Sequence, residues 1–366
     1  MDITLVSNGY GEDHLATALG QALMATAEGQ VVPLRLQAAA LVGDGWAYRQ
    51  GFAPDMLIPL PVKTFPSEGF LRTPADWLKD LKAGLMQQVL AQRQRLGRVR
   101  AGTVVAVGDF FALWMARTVR AQKWVFVPTA KSDRFQPHLS IEKFFMRRWC
   151  QQVFARDPET AEALQHQGIA AEYVGNLMMD CLDGAGEISD LQDAQQVLGI
   201  LPGSRHEAYT NLALLRETLQ YLHSRHPELK FVLALPPSLD ETYVQSILGY
   251  QLPVILCRDK FKQVLEASTV VLGMAGTANE QAVGLGKPVV CFPGKGLQTT
   301  RLRFEEQAKL LLGGVYVTDG PIQAAEKIQF LLDHVEQLQL HRNLAEKAMG
   351  QPGAAQRMAA RILALG

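Results

Sequence analysis

Four stretches of this 366-residue chain combine residue types at spacings that could do chemistry. Leu201-Pro-Gly-Ser-Arg205 follows a short apolar run, Val197 to Leu201, that reads as a buried strand. A strand that turns through Gly203 and Ser204 into a helix leaves bare backbone N–H groups at the sheet edge. With the positive end of the helix, those donors suit a phosphate. Arg205 would add a bidentate guanidinium, useful for a diphosphate held without a metal. The same residues also fit a plain β–α turn with a surface arginine. Gly273-Met-Ala-Gly-Thr-Ala-Asn-Glu280 repeats the arrangement after a second apolar strand. There Gly276, Thr277 and Ala278 could offer N–H groups to the same diphosphate, and Glu280 could accept both hydroxyls of a ribose. Read alone, the segment is better taken as a helix start, with Thr277 as cap and Glu280 as first-turn acid.

The other two stretches lie in the first half. Gly108-Asp109 ends the apolar run TVVAVGD. A carboxylate at the carboxyl end of a parallel strand points where open α/β sheets bind ligands, and a base for deprotonating a hydroxyl needs that placement. Taken alone, Asp109 fits an N-cap for the following FFALWMARTVR better than it fits a base. The first loop, Ser7-Asn-Gly-Tyr-Gly-Glu-Asp-His14, lacks the third glycine of a dinucleotide fingerprint. Gly9, Gly11 and Glu12 could floor a second substrate site, with Asp13 and His14 as further candidate acid/base groups. A simple tight turn remains the other reading.

These residues need a scaffold of short strands alternating with longer helices, and the chain has that pattern throughout, as in parallel α/β proteins. Strands are expected at 3–6, 30–36, 103–109, 123–130, 150–157 and 171–176, then at 197–205, 230–236, 253–257, 269–277 and 287–294. The polar, glycine-containing segment 178–196 reads as a linker between a domain at 1–177 and one at 197–353. The last stretch, 354–366, reads as a terminal helix that could pack back on the first domain. Lys plus Arg and Asp plus Glu both total 36, so net charge names no partner and points to no nucleic acid. Residues 61–150, however, hold 16 Lys and Arg against six acids. Four dispersed cysteines, with no Cys-x-x-Cys, read as reduced thiols in a cytoplasmic protein. Neither a signal peptide nor a spanning helix is expected.

Taken in order, LGILPGSRHEA and GMAGTANEQAVGLGKPVV resemble the carboxyl-terminal half of GT-B glycosyltransferases, and most of all the lipid-A-disaccharide synthases. That family also shows an early Gly-Glu loop, here GYGEDH, an Asp-Phe at a strand end, here Asp109-Phe110, and a Val-Gly turn, here VGNLMMD. The stretch ARDPETAEALQHQGIAAEYVGNLMMD (155–180) is similar to Kdo transferases. The resemblance implies an α/β GT-B fold, two Rossmann-like domains with parallel sheets facing a central cleft. It implies a UDP-sugar held by Gly203, Ser204, Arg205, Gly276, Thr277 and Glu280, with Gln298 near the sugar hydroxyls and Asp109 as the base. No metal or other cofactor is expected. The acceptor would be a lipid-linked sugar or glycolipid. Where the synthases carry Pro-Phe-Glu, this chain has Arg156-Asp157-Pro158-Glu159.

A lipid acceptor must be met at a membrane surface. The helix expected over 74–96 places Trp77, Leu78, Leu81, Leu85, Val89 and Leu96 on one arc, flanked by Lys79, Lys82, Arg93 and Arg95. Such an arc covers a core or touches anionic lipid, and FFMRRW (144–149) mixes aromatic and basic residues in the same way. Two other functions share the binding residues: a non-hydrolysing UDP-sugar epimerase, and a nucleotide-sugar-binding protein without transfer activity. Asp109 separates transfer from binding alone.

Overall fold

A computed structural model describes residues 1–62, 79–182, 184, 186–204, 207–296 and 299–366. The chain divides into two units, Met1–Cys181 with Pro352–Gly366, and Leu182–Gln351. In the first, β1 (Asp2–Ser7), β2 (Arg35–Ala40), β3 (Arg100–Gly108), β4 (Arg120–Pro128), β5 (Gln152–Phe154) and β6 (Ala171–Glu172) form one sheet in the order β2-β1-β3-β4-β5-β6. In the second, β7 (Val197–Leu201), β8 (Lys230–Leu235), β9 (Val254–Arg258), β10 (Val270–Gly273), β11 (Val289–Cys291) and β12 (Val315–Val317) run β12-β11-β10-β7-β8-β9. Every pairing is parallel. The central strands read as unbroken apolar runs because both faces are covered: Val104, Val105, Ala106 and Val107 are all buried.

Three elements differ from the sequence expectation. The second strand starts at Arg35, not at Gln30, because the helix Tyr10–Gly29 runs longer than its composition signals. Val31 turns to φ 57° and Val32 N–H reaches back to Ala27 O at 2.8 Å, closing the helix. Pro33 follows and has no N–H to give a ladder. Pairing begins where Arg35 N–H meets Met1 O at 2.9 Å. The strand β12 was not foreseen, since three residues show no alternation.

The third difference concerns the helix expected at 74–96. Trp77 and Leu78 lie outside the described residues. Its described part, Leu85–Leu96, starts after Gly84 at φ 99° and buries Gln88, Gln92 and Leu96. Gln92 Nε2 donates to Leu41 O at 2.8 Å and Pro61 O at 3.0 Å. The wall it covers presents carbonyls, so the inward face carries amides that satisfy them. Of the expected apolar arc, Leu96 is buried, Leu85 and Val89 are half-buried and Leu81 is exposed. Among the described residues no helix is long and apolar enough to cross a membrane.

The terminal helix Ala354–Ala364 packs on Tyr10–Gly29 and buries Met358, Ala359 and Ile362. It has no capping side chain of its own. Asp180 supplies one from elsewhere in the unit, accepting from Gly353 N at 2.5 Å and Ala355 N at 2.6 Å. Asp180→Ala should therefore cost about 1–2 kcal/mol, the range for a lost helix cap. Urea unfolding reads this directly, and an unchanged midpoint would show that the bond carries no stability.

Candidate active site

In the first sheet β1 lies between β2 and β3, so the chain leaves it first toward one edge and then toward the other. Loops that diverge in this way leave a crevice at the carboxyl end of the strands. Asn8 stands at one lip and Asp109 at the other. Asp109 caps the helix Phe110–Ala116, its Oδ1 accepting from Phe111 N at 2.8 Å and Ala112 N at 3.3 Å. Asn8 Nδ2 donates to the same oxygen at 2.6 Å, and Asn8 Oδ1 accepts from Asp109 N at 3.3 Å. Gly108 permits this approach: it sits at φ 140°, and a Cβ there would fall 1.8 Å from Asn8 Oδ1. All three donors converge on Oδ1, leaving Oδ2 without a donor among the described residues. Cap and candidate base are thus compatible in one side chain, since one oxygen anchors it and the other stays free.

Asp109 remains open to solvent on one side. Protein walls the other sides, and this desolvation pushes its carboxyl above the ordinary carboxylate value. The bonds from Ala112, Phe111 and Asn8 oppose that rise, and the charge of Glu142 adds to it. A carboxylate raised in this way is a better base than an unperturbed one.

Asp109 borders a small recess lined also by Phe110, Pro128, Lys131, His138 and Glu142. Lys131 Nζ lies 2.7 Å from both Glu142 oxygens. Leu139 N donates to Glu142 Oε2 at 2.9 Å, and His138 Nδ1 lies 3.4 Å from the same atom. Burial works against ionising Glu142, but the bonds from His138, Lys131 and Leu139 N outweigh it and hold the carboxyl down to about 2. Glu142 is therefore a fixed charge. The tautomer with its proton on Nδ1 gives His138 a partner in Glu142 and leaves Nε2 as a buried lone pair without one. A ligand hydroxyl is a suitable donor for that atom. Neither Asn8 nor this trio was singled out from sequence. The available signal was the i, i+4 spacing of His138 and Glu142 across a helix start.

The rest of the first loop divides between rim and interior. Glu12 is half-buried and accepts from Thr129 Oγ1 at 3.1 Å. A Cβ at Gly9 would strike Glu12 Oε2, whereas Gly11 has open space. His14 is exposed, its ring 5.7 Å from that of Trp46. Asp13, by contrast, is only 1% exposed. Helical periodicity turns it beneath the loop, where Oδ1 accepts from Ser7 Oγ at 2.5 Å and Ser7 Oγ meets Tyr48 Oη at 2.6 Å. Burial, aided by Glu12 and Asp44 and opposed by the Ser7 bond, pushes its carboxyl up to about 7.

The second unit repeats the topology, with β7 between β8 and β10. Gly203 turns at φ 88°, and a Cβ there would lie 3.0 Å from Met274 O, so this loop and the one after β10 touch. Ser238 Oγ steadies Ser204 O at 2.6 Å. Gly276 is the N-cap of the helix Thr277–Gly284, and no side chain caps that terminus. Thr277 is not the cap; its N–H and that of Ala278 head the helix uncapped, with Gly276 and Thr277 exposed and Glu280 buried. Gln307 Nε2 donates to Gly276 O at 2.9 Å, while its Oε1 accepts from Asn279 Nδ2 at 3.0 Å. After β11, Asn211 grips the Lys295 peptide through both its groups, at 2.7 and 3.2 Å. Arg205 and Gln298 lie outside the described residues. Among the described residues no group of His, Cys, Asp or Glu stands where it could hold a metal ion.

No protein-family profile matches the chain. It is similar to the lipid-A-disaccharide synthase of Pseudomonas syringae pv. syringae, 31% identical over 153 residues, which is 40% of each chain. The chain spans roughly a third to two fifths of the length of the first such relatives it matches. Among solved structures it resembles the calicheamicin glycosyltransferase CalG4, with TM-score 0.66, 15% identity and coverage of 99% of this chain and 97% of that one. It also resembles UDP-GlcNAc 2-epimerase from Neisseria meningitidis bound to UDP-GlcNAc, with TM-score 0.60, 14% identity and full coverage of both. At these identities the structural likeness shows the fold, which is the GT-B class of two Rossmann-like parallel α/β units in one chain.

Asp13 yields a prediction with a definite sign. Its folded-state value, about 7, lies above the ordinary 3.8, so the native protein keeps a proton that the unfolded chain releases between about pH 4 and 7. Stability contributed through this group should fall as pH rises across that window, by up to about 1.4 kcal/mol per pH unit, and be flat above it. Asp13→Asn should flatten the dependence. Urea midpoints at pH 5 and 8 measure it, and an identical slope in the variant would contradict the assignment.

Proposed function

We propose that this chain is an inverting, metal-independent glycosyltransferase that moves a sugar from a UDP-sugar, or a close nucleotide-diphosphate analogue, to a lipid-linked or glycolipid acceptor. The observation that carries the reading is Asp109, with one oxygen anchored by three donors and the other free at a strand-order reversal. The acceptor hydroxyl gives its proton to Asp109 Oδ2 as its oxygen attacks the anomeric carbon. The bond from that carbon to the diphosphate breaks on the opposite face. The departing charge falls to the N–H groups around Gly203–Ser204 and Gly276–Ala278, with Arg205 as the cation the sequence supplies for it. The partial likeness to lipid-A-disaccharide synthases supports the reaction class and a lipid-borne acceptor. An anionic membrane surface, on its cytoplasmic side, is then the place of work.

Epimerisation is the competing chemistry on this fold. It requires a proton to leave a ring carbon and return to it, hence more than one group able to exchange protons. In the recess Glu142 is locked as an ion by Lys131, leaving Asp109 as the free carboxylate there.

The test is turnover with a panel of UDP-sugars and glycolipid acceptors. Asp109→Asn should fold and bind UDP like the parent while transfer drops roughly 100-fold or more. Arg205→Ala should weaken UDP binding by about 1.5–3 kcal/mol, as for a lost charge-assisted hydrogen bond. Undiminished transfer by the Asn variant would refute the base. Interconversion of a UDP-sugar without any acceptor would establish the epimerase instead.

A further inference from the structure

The helix Ser140–Trp149 has two faces of opposite use. Its inner face carries Glu142, which lines the Asp109 recess, and Met146, fully buried. The Phe145 and Trp149 rings, 4.3 Å apart, pack on Phe110 at 5.7 and 6.3 Å, so the helix is fixed to the rim of the recess by aromatic contacts. Its outer face is unusual for a soluble surface. Leu139, Ile141 and Phe144 are 58, 55 and 51% exposed. Beside them stand Lys143, Arg147 and Arg148, none with a carboxylate partner among the described residues. The one acid of residues 139–149, Glu142, is turned inward and neutralised by Lys131.

We infer that the outer face of this helix docks on an anionic lipid bilayer, with Leu139, Ile141 and Phe144 entering the headgroup boundary and Lys143, Arg147 and Arg148 meeting lipid phosphates. Apolar side chains ringed by unpaired cations match a surface that offers both hydrocarbon and negative charge. A second copy of the chain matches it poorly, because a two-fold contact would set the same cations against each other with no acid to offset them. The geometry also gives the docking a use. The recess wall and the docking face are opposite sides of one helix, and a helix with side chains is about 10–12 Å across. Asp109 would then work within about one helix diameter of the headgroups, where a lipid-borne hydroxyl lies. Of the two stretches the sequence pattern pointed to, this face belongs to FFMRRW (144–149) and not to the helix that ends at Leu96.

This inference rests on the reading of a membrane-borne acceptor, and its test keeps the two apart. Co-sedimentation would use vesicles of phosphatidylcholine with 30% phosphatidylglycerol at low salt, with pure phosphatidylcholine as control. UDP-induced thermal stabilisation of each variant is measured alongside, to report on the nucleotide site alone. The parent should bind anionic vesicles and release them on adding salt. At roughly five-fold for each basic residue, K143S/R147S/R148S should bind on the order of 100-fold more weakly. I141S/F144S should lose at least ten-fold, and K79S/K82S/R93S/R95S should keep most of the binding. Unaltered UDP stabilisation in the variants shows that the fold survived. Parental binding by both helix variants would overturn the inference, as would a parent that ignores anionic vesicles. So would concentration-dependent dimerisation abolished by I141S/F144S, which would make a second copy the occupant. A protein that binds vesicles but no UDP would leave the docking face standing and sink the glycosyltransferase reading.

Discussion

Each sheet is begun from its interior, and the chemistry depends on that constraint. β1 and β7 are both laid down with room for a neighbour on either side, and both are used on both sides. Parallel connections must cross over a face of the sheet, so successive crossovers from one strand to opposite edges pull the flanking loops apart. The gap that results exposes the backbone of the strand tips and loops beside their side chains. A ligand can be met there by N–H groups and by whatever residue stands at each strand tip. In the first unit those tips bring Asn8 to Asp109; in the second they bring Gly203 to Met274.

The two gaps are then finished by opposite means. The first is built around charge. Asp109 stays ionisable because its anchoring bonds fall on one oxygen, and Glu142, which would otherwise compete for protons, is tied to Lys131 and His138. The second is built around uncompensated dipoles. Among the described residues no side chain caps the Thr277–Gly284 helix, and the amides of Gln307 and Asn279 brace its first peptide from behind. Glycine is required at both for a steric reason: Gly108 and Gly203 turn through positive φ, and a Cβ would overlap Asn8 Oδ1 at the first and come within 3.0 Å of Met274 O at the second.

Much of this was legible in the sequence because it is local. The parallel α/β pattern, the glycine turns after β7 and β10, and the Asp at the tip of β3 each occupy a few consecutive residues. The resemblance to lipid-A-disaccharide synthases came from the order of those turns, and partial likeness to those proteins is found. What was not legible is long-range or too short to show a period. Asn8 and Asp109 are 101 residues apart, and Asn279 and Gln307 are 28 apart, so no spacing rule joins them. The three residues of β12 carry no alternation. The helix at Leu85–Leu96 misled because its inward face buries Gln88 and Gln92, the latter donating to two carbonyls, instead of the whole apolar arc. Asp13, adjacent in sequence to rim residues, was placed below the loop by helical rotation alone.

The central claim is that the uncapped N–H groups at the second strand-order reversal hold the nucleotide diphosphate. Backbone amide hydrogen exchange with and without saturating UDP tests it at single residues. Slowed exchange should centre on Ser204 and on Gly276, Thr277 and Ala278, with Asn8, Gly9 and Asp109 unchanged. Protection centred on Asn8 to Gly11 instead, with the Gly276 turn unaffected, would contradict the account and move the nucleotide to the first unit.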